Sequence, residues 1–169
     1  MKVTRKRVIR LIIVIIILSI LFYMFVTEWR FERIRVIGAK MYIVEEYQDY
    51  YCKVKEGSGT FIGTYFYKDI YFSFGQKKKM LEKTKEDVTN YLEKLIEEHN
   101  DIFYKYEISN DFKQVCIYET PGIIDKQKRR ELGPEVNSRI GRLIGLYYNI
   151  KEGRSRGLGQ IVTFVEPDD

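Results

Sequence analysis

The chain has 169 residues, enough for an N-terminal apolar run and one modest domain. Its net charge of +5 resides in Lys2, Arg5, Lys6, Arg7 and Arg10; removing these five from the 29 Lys and Arg leaves 24 cations against 24 acids from Glu28 onward. The remainder is formally neutral, which removes the basic-surface argument for a nucleic-acid partner, and none is expected.

Residues 1–7 read as a basic flank and residues 8–26 as a transmembrane helix. Leu11 to Val26 carry no charge. With Val8 and Ile9 the stretch reaches about 24–28 Å at 1.5 Å per residue, close to the roughly 30 Å hydrocarbon core. Arg10 is placed to snorkel, and Tyr23 and Trp29 fall where interfacial aromatics are expected. The following "FYMFVTEW" offers no A-x-A-like cleavage site, and no Cys follows, which argues against a cleaved signal and a lipoprotein signal. Lys and Arg are denser before the run than after it, where Arg30, Arg33 and Arg35 stand. That bias puts the N-terminus in the cytoplasm and the domain outside. The expectation is a single-pass cell-membrane protein with the lipid bilayer as one partner.

Residues 27–39 read as a connector, with a short strand through Ile34, Val36 and Gly38 or a continuation of the span. Residues 40–169 form the expected extracytoplasmic domain. In "MYIVEEYQDYYCKVKEG" the residues Ile43, Val44, Tyr47, Tyr50, Tyr51 and Val54 share one helical arc, and Gly57 supplies a stop. The aromatic, β-branched "TFIGTYFYKDIYFSF" predicts a hairpin turning at Lys68-Asp69. One parity there carries Ile62, Phe66, Ile70, Phe72 and Phe74. The other carries Phe61, Tyr65, Tyr67 and Tyr71.

The clearest stripe follows: Leu81, Thr84, Val88, Tyr91, Leu92, Leu95 and Ile96 predict a helix from Gln76 to Asn100. "IFYKYEIS" and "FKQVCIYE" flank Asn110-Asp111 as a second hairpin. "DKQKRREL" reads as irregular or partly helical, Pro134 as the start of a helix to about Ile150, and "GQIVTFVE" as a final strand. The order is α-ββ-α-ββ-α-β, an α+β domain with helices packed on a largely antiparallel sheet.

Several residues are weighed as sites. "GRSRG", Gly153 to Gly157, matches G-x-S-x-G, yet Ser155 follows a helix and precedes a strand, the reverse of a nucleophile elbow. His99 is the sole histidine and ends the apolar stripe, so a packed or capping role outweighs a metal or base role. A Cys52–Cys116 disulfide would close a long loop, but no pattern brings the two together. Tyr65, Tyr67 and Tyr71 share a strand face and are candidate partner contacts. In the last helix Ser138, Gly141 and Gly145 form a small-residue track opposite the apolar stripe, a second candidate contact.

No phosphate loop, paired metal-ligand spacing or dinucleotide fingerprint is present, so no cofactor, metal or catalytic residue is assigned. The expected function is binding or scaffolding in a bacterial envelope complex with a membrane or envelope protein partner. The alternatives are a membrane-tethered enzyme acting on cell-wall or lipid substrates, and a cytoplasm-facing accessory subunit of a transporter or signalling complex.

Overall fold

The computed structural model describes residues 5–24, 31–73, 75–122, 126–153 and 159–167. Phe25 and Val26 of the expected span, Trp29, Phe74 and Ser155 lie outside these. The chain divides into two units, Met1–Glu32 and Arg33–Asp169.

The first unit contains helix α1, Arg5–Met24, whose apolar side chains from Val8 to Met24 are exposed. Among the described residues no helix is long and apolar enough to cross a membrane. The physical reason lies in the first two turns. Arg5, Lys6, Arg7 and Arg10 occupy them, and the uncharged part of the described helix, Leu11 to Met24, spans about 21 Å against a core of about 30 Å. This corrects the expected transmembrane helix, and with it the expected single-pass placement with the domain outside the cell membrane.

The second unit is a small α+β domain. Its elements are β1 (Glu32–Ile37, the first residue belonging to the preceding unit), a 3₁₀ segment (Gly38–Tyr50), β2 (Lys53–Thr60), β3 (Thr64–Phe72) and α2 (Gln76–Glu98). There follow β4 (Phe103–Ile108), β5 (Val115–Glu119), α3 (Lys126–Glu152) and β6 (Val162–Val165). Two three-stranded sheets form, ordered β1-β3-β2 and β4-β5-β6, where a single sheet was expected. β2–β3 and β4–β5 are antiparallel hairpins, and β6 runs parallel to β5.

Three local expectations change. The arc of Ile43, Val44 and Tyr47 is buried as its period implies, but the segment is 3₁₀ and kinks at Tyr47 (φ −113°, ψ 22°). By Tyr51 the chain is extended, and the residues that follow pair as β2. The hairpin turns at residues 61–63, with Gly63 at φ +96°, while Lys68 and Asp69 lie inside β3 opposite Glu56 and Lys55. α3 begins at Lys126, so Pro134 sits within it. Its early part is tied down by Arg129 Nε on Glu119 Oε1 at 2.5 Å and Lys128 Nζ on Asp101 Oδ2 at 3.0 Å.

The core gathers Ile34 and Val36 of β1, Ile70 and Phe72 of β3, Val88 and Leu92 of α2, and Ile140 and Leu143 of α3. α2 and α3 pack on each other, and α3 also meets the 3₁₀ segment. On α3 the buried Asn149 donates from Nδ2 to the Arg35 carbonyl at 2.8 Å, tying that helix to β1.

Burial along the first sheet predicts a sharp contrast in stability. Phe72, 1% exposed, should cost about 3–5 kcal/mol when changed to Ala, whereas Phe61→Ala at the hairpin tip should stay within about 0.5 kcal/mol. Urea denaturation of the two variants measures both values.

Candidate functional site

β3 is the central strand of its sheet, and its alternation gives two chemically different faces. Ile70 and Phe72 point into the core. On the opposite face stand Tyr65, Tyr67, Asp69 and Tyr71, the parity on which the sequence placed its tyrosines. Across the ladder Tyr65 faces Gly59 and Tyr67 faces Gly57. The rings lie against those glycines so closely that a Cβ at Gly57 would sit 2.5 Å from the Tyr67 ring, and one at Gly59 would sit 2.6 Å from the Tyr65 ring. The glycines thus read as room for tyrosines rather than as a break in the chain.

Cations surround this face. Arg35 of β1 donates from Nε and Nη2 to the two carboxylate oxygens of Asp69, both at 2.8 Å. Its guanidinium also lies 3.7 Å from the Tyr67 ring centroid, a cation–π contact. From β2, the Lys53 and Lys55 ammonium groups stand 4.7 and 5.6 Å from the centroid of the Tyr71 ring. The Arg35 hydrogen bonds hold the Asp69 carboxyl below the usual carboxylate range despite burial, with Arg33 and Lys55 near enough to add to the effect. At the strand positions of this face, four cations accompany one carboxylate.

The other face of the hairpin has the opposite balance. Lys68 Nζ lies 2.6 Å from Glu45 and 3.2 Å from Glu56, and those two carboxylates raise its pKa. Beyond them Phe66 is 66% exposed and Tyr42 of the 3₁₀ segment 75%. With Met41 they line an open groove of about 470 Å³.

The α3 residues predicted as contacts, Ser138, Gly141 and Gly145, meet three different surroundings. Gly145 is buried under the Lys40 side chain, where an added Cβ would meet Lys40 Cδ at 2.9 Å. Burial there pushes the Lys40 ammonium pKa down. Gly141 opens on a groove of about 740 Å³ that Arg130, Asn137 and Phe164 also line. Ser138 is exposed and accepts from Arg142 Nη2 at 2.9 Å. Cys52, just before β2, and Cys116 of β5 are both free thiols. His99 is half-buried where α2 ends, its backbone N–H donating to the Leu95 carbonyl and its Nδ1 without a hydrogen-bond partner among the described residues. Among the described residues no group of His, Cys, Asp and Glu could hold a metal ion.

Arg35, Lys53 and Lys55 were not among the residues singled out from sequence. Their signal is present, however, as period-two alternation in "RIRVI" and "KVK". Each pair of cations brackets a β-branched residue that turns the other way. Compared with protein-family models, with curated proteins and with solved structures, the chain matches none.

Because the folded Asp69 carboxyl titrates below its unfolded value near 4, its ion pair stabilises the fold above that value and is lost as pH falls through the folded one. Asp69→Asn should therefore lower stability at neutral pH, and its loss of stability below about pH 4 should be shallower than in the unaltered chain. Denaturation midpoints between about pH 6 and pH 2 check this; parallel curves would contradict it.

Proposed function

We propose that the chain is a binding or scaffolding protein that meets its partner through the β2–β3 hairpin. The observation that carries this reading is the hairpin tip, where Phe61 is 89% exposed and Ile62 is 92% exposed. The turn needs Gly63 for its positive φ, but it has no conformational need for two large apolar side chains. Single exposed apolar residues are ordinary on a protein surface, whereas a group of them rimmed by polar residues marks an interaction site. Here Phe66 and Tyr42 extend the tip down one side, with Glu56 and Lys68 at the rim. Aromatic residues supply much of the energy of interface centres, which suits this composition.

Serine at both tip positions tests the reading without touching the core. The Phe61→Ser/Ile62→Ser variant should keep its stability within about 0.5 kcal/mol. Affinity capture with the unaltered chain and the variant in parallel should show at least one protein reduced about tenfold or more by the change. An identical set of captured proteins would overturn the proposal.

A further inference from the structure

The outward face of the first sheet carries a charge imbalance that the neutral domain as a whole does not share. Arg33 and Arg35 come from one edge strand, Lys53 and Lys55 from the other, and the acid at their centre, Asp69, is already engaged with Arg35. Holding like charges together on one sheet face raises the electrostatic energy of the free protein, and an anionic partner lowers it.

We propose that this face, with the β2 edge beside it, binds an acidic, extended peptide segment of a partner protein. The inference rests on the hairpin reading above and adds the chemistry of the partner. β2 forms the outer edge of its sheet, so its outward backbone groups lie where an added strand pairs. On the face in question β2 presents Lys53 and Lys55 and then two glycines, Gly57 and Gly59. An approaching strand with carboxylates at alternate positions would bring them to the two lysines while its backbone continues along the glycine half.

Two other occupants fit less well. A second copy pairing antiparallel through β2 about Glu56 would set Lys53 and Lys55 opposite its Gly59 and Gly57, and so brings no carboxylate to either lysine. Single-stranded nucleic acid stacks its bases on open aromatic faces. Here Tyr65 and Tyr67 are pressed onto glycines, and the Arg35 guanidinium covers Tyr67.

The test titrates the chain with a fluorescein-labelled oligoglutamate peptide, with oligolysine and oligothymidylate as comparison probes, and follows anisotropy. Oligoglutamate should bind, weaken as salt rises, and weaken about tenfold or more in Lys53→Glu/Lys55→Glu. Lys53→Gln/Lys55→Gln should show an intermediate loss and covers the case in which charge reversal disturbs folding. Affinity capture with the tip variant reads the hairpin proposal and peptide binding by the lysine variants reads this one, so failure of either is distinguishable from failure of the other. Absent binding, binding indifferent to both lysine variants, or a preference for oligolysine or oligothymidylate would overturn the inference.

Discussion

Arg35 is where three elements of the domain meet. Its carbonyl accepts a hydrogen bond from Asn149 of α3, its guanidinium grips Asp69 of β3 through both oxygens, and the same group covers the Tyr67 ring. The Asp69 side chain is only 8% exposed and that of Arg35 38%, so the carboxylate is the desolvated partner. Removing one member of such a pair leaves an uncompensated charge, which is why the geometry of this contact constrains its surroundings. With β1 tied to α3 on one side and to β3 on the other, the first sheet has one way to lie on the core.

That constraint explains how the hairpin can extend past its support. The ladder between β2 and β3 continues from Lys53–Tyr71 to Thr60–Thr64, yet full burial on β3 covers only Asp69 to Phe72. The outer half therefore lacks core packing and depends on backbone pairing and on Tyr65 and Tyr67 lying against Gly59 and Gly57. Cross-strand packing of this kind contributes roughly 0.2–1 kcal/mol per pair. Such a hairpin is held in shape by local contacts and leaves its tip to solvent.

The fold was legible where one period dominated. The α2 stripe gave the helix to within two residues at its C-terminal end, and Asn110-Asp111 marked the second turn, where Ser109 Oγ accepts from the backbone N–H of Lys113 and Gln114. It was less legible where two signals competed. Gly57 looked like a helix stop, but its meaning depends on Tyr67, which sequence distance hides. Pro134 looked like a helix start because position alone cannot show that the preceding turn is anchored by Glu119 and Asp101. For α1, summed hydropathy outweighed the early arginines, although the uncharged length decides the geometry. In the candidate site the tyrosine parity was visible, while the cations that define its chemistry come from separate strands and converge only after pairing.

The formal neutrality of the domain conceals a polarised sheet. On one side of the β2–β3 hairpin a single lysine, Lys68, serves two glutamates. On the other, one aspartate sits among four basic residues. Period-two patterning contributes to this: in "KVKE" Lys53 and Lys55 fall on one face and Glu56 on the other, so adjacent charges of opposite sign separate. Net charge per domain thus excludes little about a partner when the charges lie in strands. What counts is the sum over every second residue, and here that sum is positive beside an open strand edge.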